Sequence, residues 1–323
     1  MQTINRRPLI LAVGTIVFLC ACSQARHETT EVYYLVTANT RIAYWQEAAA
    51  GLAAAGKDLG VRAETVGPET YDPKEEKADL QKLVTQKIAP AGILVSAADP
   101  ELLRDAIDSA VAAGIPVVTI DADSPKSKRV LFIGTNNYQV GQTGGEILAK
   151  ELNGKGSVVV YSIPGQENVD ERLEGYKRVL ARHPEIKIVQ TIDIHGEPSE
   201  AFDNTQAVIK GKTVPDAFVC LEALSCAEVA DVLDRANIRG KTIIAMDTND
   251  ATLDWISKGM IRATIAQKPY TMAYYGLRVV DDLHHNRLAA TAQGSRSPVP
   301  MFIDTGLTLV DKSNAKSFMR GGK

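Results

Sequence analysis

Short apolar segments and helix-length amphipathic segments alternate along the chain from residue 32 onward, and this alternation limits the folds available to it. The first half predicts strand VYYLVTA (32–38), an alanine-rich helix over 44–59, strand VRAETV (61–66) and a charged helix over 73–88. Strands rich in valine and isoleucine, each followed by a helix, are typical of βαβ units in a parallel sheet that is covered on both faces. The pattern therefore predicts a doubly wound α/β fold.

A second series of the same kind follows, so we predict two α/β lobes. Its strands include SVVVYSI, DAFVCL and TIIAMD, and each is separated from the next by a helix-length segment. Three short segments are predicted to cross between the lobes, GTNNY (134–138), AQKPY (266–270) and SPVPMFID (297–304). The final segment, FIDTGLTLV (302–310), is predicted to be a strand.

These crossings set the expected domain bounds. The first lobe comprises 32–135 and 268–300, the second comprises 136–267 and 301–323, and a three-segment hinge joins the two parallel-sheet lobes around a ligand cleft.

The N-terminus has the pattern of an export signal. Arg6 and Arg7 precede an apolar run of about a dozen residues, which is too short to span a bilayer as a mature helix. The following LCAC resembles the bacterial lipobox and predicts a signal peptide over 1–21, lipidation of Cys22 and a tether over 22–31. Simple secretion with cleavage near Ala21 is the alternative.

Removal of such a leader would leave Cys22 and two other cysteines. These two, Cys220 and Cys226, would lie in a compartment that permits disulfides. They would bridge if their Cα atoms came within about 7 Å. Two small buried thiols are the alternative, because free cysteine is among the most buried residue types. Both readings remain open at the level of sequence.

Composition and motifs exclude several classes of function. The formal charge of −3 provides no basic field for nucleic acid. The five histidines show no metal-ligand spacing. The NGKGS stretch precedes a strand, whereas a phosphate loop follows one, and no G-x-S-x-G elbow occurs. We therefore expect no metal, no cofactor and no catalysis.

Polar residues gather where the predicted strands end. DADS (121–124), CLEALS (220–225) and MDTND (246–250) follow apolar strands, and Tyr44 and Trp45 follow the first strand. Ligands of open parallel sheets bind at the carboxyl ends of the strands. Two facing sets of such ends would form a cleft with hydrogen-bonding groups and aromatic rings, as a polyhydroxylated ligand needs.

The residues also carry a family resemblance. The export signal, the Tyr44–Trp45 pair, GIPVVTID (114–121), ERLEGY (171–176), IIAMD (243–247) and ATIAQKP (263–269) resemble the ribose/galactose type of periplasmic sugar-binding proteins of ABC transporters. The resemblance covers nearly all of residues 32–311. It implies the type I periplasmic binding protein architecture, with two lobes that close on a ligand.

The resemblance also implies roles for individual residues. It assigns stacking on the sugar faces to Tyr44 and Trp45 and acceptance of sugar hydroxyls to Asp121. The remaining implied ligand contacts are Arg172, Asp247 and the hinge glutamine Gln267. The plainer alternatives are core packing for the two aromatics, helix capping for the acids and a surface ion-pair network for the arginine.

Three departures from the family pattern make the predicted pocket more acidic. Ala122, with Asp123 next, stands where the family often has an arginine; Glu222 replaces an asparagine; and Met246 replaces an aromatic residue. Asp123 and Glu222 are therefore added to the candidate ligand contacts. These departures leave room for a sugar other than ribose, a polyol or an amino sugar.

We therefore expect a monomeric extracytoplasmic protein that delivers a sugar or polyol to an ABC permease and touches the membrane only through a lipid anchor. A chemosensory ligand-binding subunit and a periplasmic hydrolase on the same scaffold are the alternatives. A sugar-responsive repressor would need a DNA-binding segment where this chain has its export signal.

Overall fold

A computed structural model describes residues 27–285 and 299–319, which contain two six-stranded sheets. The predicted signal peptide over 1–21, the lipidation of Cys22 and most of the tether lie outside the described residues. Within those residues, every helix is too short or too polar to cross a bilayer.

The first sheet has the strand order β11-β5-β4-β3-β1-β2, and all its neighbours are parallel. Its strands are β1 (Val32–Val36), β2 (Arg62–Val66), β3 (Gly92–Val95), β4 (Val117–Ile120), β5 (Phe132–Gly134) and β11 (Phe302–Asp304). The helices of this lobe are α1 (Ala43–Leu59), α2 (Pro73–Val84), α3 (Pro100–Ala112) and α9 (Pro269–His284).

The second sheet repeats this arrangement with the order β12-β10-β9-β8-β6-β7, and only its edge pair β10–β12 is antiparallel. Its strands are β6 (Lys155–Ser162), β7 (Glu185–Asp193), β8 (Ala217–Cys220), β9 (Thr242–Met246), β10 (Ala263–Ala266) and β12 (Thr308–Val310). Its helices are α4 (Asn137–Glu151), α5 (Glu167–Leu180), α6 (Pro198–Ile209), α7 (Ser225–Arg235), α8 (Asp250–Lys258) and a 3₁₀ turn at Ala315–Phe318.

Local sequence explains why the elements begin where they do. The central strands β3, β4, β8 and β10 are buried at every position, as strands covered on both faces must be. The side chains of Asp72 and Asp99 accept hydrogen bonds from backbone N–H groups in the first turns of α2 and α3, and a proline follows each of them. The doubly wound α/β fold predicted from the alternation is confirmed.

The chain crosses between the sheets at three places. The crossings lie after β5, after β10 and between β11 and β12, at residues 135–136, 267–268 and 305–307. The first two fall within the predicted segments. The third was placed too early, because β11 pairs with β5 in the first sheet, which moves 302–304 out of the predicted second lobe.

FIDTGLTLV is therefore not one strand, and this prediction was wrong. The segment divides at Gly306, whose φ of 75° turns the chain out of the extended conformation. Strand β5, which is three residues long, was also not predicted from the sequence. Both errors involve strands that are too short to show a periodicity.

Glycines allow helices α4 and α5 to pack closely. A Cβ atom at Gly141 would lie 2.0 Å from the backbone oxygen of Arg172, and one at Gly175 would lie 2.2 Å from the backbone oxygen of Tyr138. Such distances are far inside van der Waals contact, so only glycine is tolerated without a shift of one helix. The position of α5, and of Arg172 within it, depends on this contact.

Candidate ligand-binding site

A cavity of about 80 Å³ lies between the carboxyl ends of the two sheets. Since one buried water needs a cavity of roughly 10–15 Å³, this cavity has room for several waters or one small ligand. Seven of the eight predicted ligand contacts line it, namely Tyr44, Trp45, Asp121, Arg172, Glu222, Asp247 and Gln267. Both lobes contribute to its wall.

Two aspartates occupy equivalent positions in the two lobes. Asp121 follows β4 and Asp247 follows β9, and each of these strands is third in the order of its sheet. Both residues adopt a left-handed backbone conformation, with φ of 62° and 61°. Aspartate tolerates this region better than most residues do, and such conformations are held only where the surroundings enforce them.

Asp121 is held by partners from both lobes. Its Oδ1 accepts a hydrogen bond from the Tyr44 hydroxyl at 2.5 Å, and its Oδ2 accepts one from Ser96 Oγ at 3.4 Å. Asn168 of the second lobe donates from Nδ2 to the same Oδ2 at 3.3 Å. Burial raises the pKa of Asp121, while Arg172 and the hydrogen bonds from Tyr44 and Ser96 oppose the rise.

Asp247 is paired with the hinge. Its Oδ1 accepts a hydrogen bond from the backbone N–H of Gln267 at 3.1 Å, and its Oδ2 accepts one from Gln267 Nε2 at 3.4 Å. Burial raises the pKa of Asp247 to about 7, against the opposing effect of Arg172. At neutral pH this carboxyl group therefore exists in both protonation states.

Arg172 is the single cation among the predicted contacts, and it is 2% exposed. Its Nε donates to Asn137 Oδ1 at 3.0 Å, and its Nη1 donates to the backbone oxygen of Leu221 at 2.7 Å. Arg172 is a buried residue of α5 and lines the cavity. The predicted alternative, a surface ion-pair network, therefore does not apply. Its charge opposes the rise in pKa of Asp121, Glu222 and Asp247.

Glu222 lines the cavity and also stabilises its own loop. Its Oε2 accepts a hydrogen bond from the backbone N–H of Leu224 at 2.5 Å, and its Oε1 accepts one from the Ser225 hydroxyl. Both oxygens are thus bound by the two residues at the junction of the loop and α7, without a side-chain cap on the helix itself. Burial raises the pKa of Glu222, and the Ser225 hydroxyl opposes the rise.

The loop that carries Glu222 is closed by a disulfide between Cys220 and Cys226, whose Cα atoms lie 5.8 Å apart. The bridge joins the end of β8 to the first turn of α7. Of the two readings left open by the sequence, the structure has the disulfide.

The two aromatic residues differ in their surroundings. Trp45 is 8% exposed and packs in the core of the first lobe, so it combines the packing role with a position at the cavity wall. Tyr44 meets it edge-on at a ring distance of 5.1 Å. Burial, followed by the nearby Asp121 carboxyl group, raises the pKa of Tyr44 well above its usual value, so the hydroxyl stays protonated as a donor.

Asp123 is the predicted contact that does not line the cavity. Its carboxylate accepts two hydrogen bonds from the Arg129 guanidinium, one from Thr119 Oγ1 and one from the backbone N–H of Ser124. Its oxygens are therefore already occupied within the first lobe. The prediction that Asp123 contacts ligand is not supported by this geometry.

Four further polar residues of the cavity wall were not singled out as ligand contacts, although Asn39 and Asn168 lie in the polar stretches 39–45 and 165–172 that the sequence places at strand ends. The four are Thr37, Asn39, Ser96 and Asn168. Thr37 and Asn39 follow β1, and Ser96 follows β3, so the rule that ligands bind at strand ends could have found them. Asn168 lies in the first turn of α5, within the polar stretch GQENVDER (165–172) that follows β6.

Three side-chain atoms in the cavity wall are buried without a hydrogen-bond partner among the described residues. They are Thr37 Oγ1, Arg172 Nη2 and Gln267 Oε1. Buried polar atoms are nearly always paired, so each of the three is a position where a ligand or a water would be bound. The set includes a charged donor, a neutral acceptor and a hydroxyl that can act as either.

Comparison with known proteins agrees with this architecture. Residues 33–286 match the periplasmic binding protein domain family. The ribose import binding protein of Bacillus subtilis is 26% identical over 223 residues, which cover 67% of this chain and 70% of that protein.

Solved structures extend the similarity. A sugar-binding protein of a sugar ABC transporter from Bacillus halodurans is 32% identical with a TM-score of 0.77, over 90% of this chain and 100% of that one. A solute-binding protein of Burkholderia graminis in complex with D-arabinose is 26% identical with a TM-score of 0.82, over 91% of this chain and 100% of that one. The chain therefore belongs to the periplasmic binding protein family, in the branch that contains the solute-binding proteins of sugar ABC transporters.

Proposed function

We propose that this protein binds a monosaccharide in the cavity between its lobes and delivers it to an ABC permease. Pentoses are the first candidates, because the relatives described above include proteins named for ribose and crystallised with D-arabinose. These relatives are binding proteins, and the proposal includes no catalytic step.

The observation that carries the proposal is the set of three unpaired buried atoms, Thr37 Oγ1, Arg172 Nη2 and Gln267 Oε1. A sugar hydroxyl both donates and accepts, so neighbouring hydroxyls of one ring can satisfy a guanidinium donor and an amide acceptor at once. Hydrogen bonds that involve an ionised group are about twice as strong as neutral ones. Arg172 is therefore expected to contribute most to affinity.

The apolar part of the wall suits the other face of a sugar ring. Tyr44 and Trp45 present aromatic carbon beside the polar groups of Asp121 and Asp247. A pyranose or furanose has C–H groups on its faces and hydroxyls at its edge, so it can use both kinds of contact. This combination supports a sugar more than an anion, since three buried carboxyl groups surround the one guanidinium.

Contacts from both lobes support a closing mechanism. Asp121 and Tyr44 belong to the first lobe, whereas Arg172 and Asp247 belong to the second. A ligand that contacts all of them stabilises the closed form through interactions that the open form lacks. The closed form is then the state that the permease recognises.

Calorimetric titration of the purified protein with pentoses, hexoses, polyols and amino sugars tests the binding step. We expect one sugar to bind with 1:1 stoichiometry, and Arg172→Lys to weaken binding by about 10- to 100-fold, since a buried charge-assisted hydrogen bond contributes about 1.5–3 kcal/mol. Arg178→Met, an exposed change on the same helix, is the matched control. Absence of binding to every member of the panel, or unchanged affinity in Arg172→Lys, would contradict the proposal.

Delivery and anchoring need a cellular test. We propose that Cys22 is lipidated and holds the protein at the outer face of a membrane, because LCAC resembles a lipobox. Uptake of the bound sugar should fall when the gene is deleted and return with the wild-type gene but not with Arg172→Lys. Cys22→Ser should shift the protein from the membrane to the soluble extracytoplasmic fraction. Normal uptake in the deletion strain would favour a sensory role instead.

A further inference from the structure

The structure brings four metal-ligating side chains together at the ends of β1 and α9 opposite those that adjoin the sugar cavity. His27 and Glu31 come from the segment before β1, and Asp281 and His285 come from the end of α9. One ligand atom from each residue can be chosen so that all four lie within 4.8 Å of one another. We propose that this cluster, the His–Glu–Asp–His cluster, binds a divalent transition metal ion of the zinc type.

The donor set fits that class of ion. Two imidazole nitrogens and two carboxylate oxygens form a four-coordinate N₂O₂ set, which suits Zn²⁺, whereas Ca²⁺ and Mg²⁺ prefer oxygen alone. With zinc–ligand bonds of about 2.0–2.2 Å, a tetrahedral site places its donors about 3.4 Å apart. His27 Nε2 lies 2.9 Å from Asp281 Oδ1, and His285 Nε2 lies 3.3 Å from Glu31 Oε1. These two pairs are close to that spacing, and the remaining pairs lie within 4.8 Å.

The ring of His285 is already oriented as in a metal site. Its Nδ1 lies 2.9 Å from the backbone oxygen of Asp281, and because a carbonyl oxygen can only accept, Nδ1 is the donor. In the neutral ring, Nε2 then carries the lone pair and faces Glu31 Oε1, which is also an acceptor. Metal-bound histidines typically donate their second ring nitrogen to such a carbonyl or carboxylate. A cation between the two acceptors resolves their repulsion.

Glu31 supplies an independent observation. The residue is 8% exposed, and its Oε2 is buried without a hydrogen-bond partner among the described residues. A buried carboxylate oxygen in that state is destabilising unless a cation or donor approaches it. Glu31 Oε1 is held by the backbone N–H of Glu28 at 2.8 Å, which fixes the direction of the carboxylate.

The rest of the cluster is rigid on its protein side and accessible on the other. Asp281 is 1% exposed, and its Oδ1 accepts a hydrogen bond from the Tyr33 hydroxyl at 2.8 Å. The side chains of His27 and His285 are 16% and 14% exposed. A surface pocket lined by Glu31 and His285 opens beside the cluster and provides a route for the ion.

A metal bound here would fasten the N-terminal segment to the first lobe. His27 and Asp281 are 254 positions apart, so the ion would link the beginning of the described chain to the last helix of that lobe. None of the four residues lines the sugar cavity. The metal would thus stabilise the first lobe without contacting the ligand.

Zinc titration of the purified protein tests the inference, using protein without a histidine tag that has been treated with a chelator. We expect one equivalent of Zn²⁺ to bind and to raise the Tm relative to the protein in EDTA, while Ca²⁺ has no effect. The double variant, with His27→Gln and His285→Gln, should bind zinc at least about 100-fold more weakly. The control variant His183→Gln, which changes a histidine of the second lobe, should bind zinc as the wild-type protein does.

Glu31→Gln provides a second variant, because it preserves the shape of the side chain and removes its charge. It should weaken zinc binding while thermal unfolding in EDTA remains cooperative. Failure of the wild-type protein to bind zinc at neutral pH would overturn the inference. Equal zinc binding by the wild-type protein and the double histidine variant would overturn it as well.

Discussion

At the scale of single residues, Asp247 combines a functional position with an unusual acidity. Burial raises its pKa to about 7, well above the value of 3.8 in an unfolded chain. Between these two pH values the folded protein keeps a proton that the unfolded chain releases. The contribution of this residue to the free energy of unfolding is therefore largest below about pH 4 and declines as pH rises towards 7.

Asp247→Asn should remove that decline. We expect the variant to gain stability relative to the wild-type protein as pH rises from about 4 to 7, and to bind sugar about 10- to 100-fold more weakly because a charge-assisted acceptor is lost. Denaturant unfolding at several pH values measures the first effect and calorimetry the second. Asp250→Asn, which removes an exposed carboxyl group nearby, is the control. A constant difference in stability across this pH range would contradict the assigned acidity.

Residues at strand ends were the part of the site that sequence could predict. Asp121, Glu222 and Asp247 directly follow apolar strands, and a parallel sheet places such ends at one edge. Asp123 follows β4 as well, but its neighbour Arg129 binds it away from the cavity, and sequence spacing does not indicate that pairing. The contact between His27 and Asp281 was missed because it joins residues that are 254 positions apart in the sequence.

At the scale of elements, the close packing of α4 and α5 determines where Arg172 lies. Gly141→Ala would place a methyl group 2.0 Å from the backbone oxygen of Arg172 and force the helices apart. We expect a loss of about 1–3 kcal/mol in the free energy of unfolding and a loss of at least about 10-fold in sugar affinity, because the guanidinium moves with its helix.

Gly211→Ala is the matched control for this change. Gly211 is exposed and follows the C-terminus of α6, and the nearest atom to an added Cβ would be the backbone oxygen of Val208 at 3.1 Å. Chemical unfolding and calorimetry should leave this variant close to wild type. Sugar affinity that survives Gly141→Ala despite the loss of stability would mean that Arg172 is positioned by its own hydrogen bonds rather than by the helix.

Elements of ordinary length followed from their sequence periodicity, and the shortest did not. The long helices and the buried central strands carry enough residues for the period to be visible. Strands β5 and β11 have three residues each, and their partners among the described strands are each other and β4, so their place is decided by tertiary contact. The third crossing was misplaced for this reason.

At the scale of the whole molecule, the cavity predicts a change of shape on binding. Asn168 and Asp121 touch across the lobes at 3.3 Å, and the ring of Tyr71 lies against Gly196 of the other lobe. Because a bound sugar adds contacts to both lobes, it should shift the population towards the closed form. Small-angle scattering should then show a smaller radius of gyration with sugar than without it.

Arg172→Lys is the control for this experiment, since it should show no such decrease at the same sugar concentration. A radius of gyration that is independent of sugar in the wild-type protein, under conditions where calorimetry shows saturation, would mean that the lobes are already closed when the sugar arrives.

The last two strands have a consequence for the time at which the protein can fold. β11 completes the first sheet and β12 completes the second, and both lie within residues 302–310 of a 323-residue chain. N-terminal domains often fold while the rest of a protein is still being synthesised. While residues 302–310 are still inside the ribosome or a translocation pore, each lobe lacks one edge strand. The two lobes are therefore expected to reach their final form together, once residues 302–310 are free to pair with the two sheets.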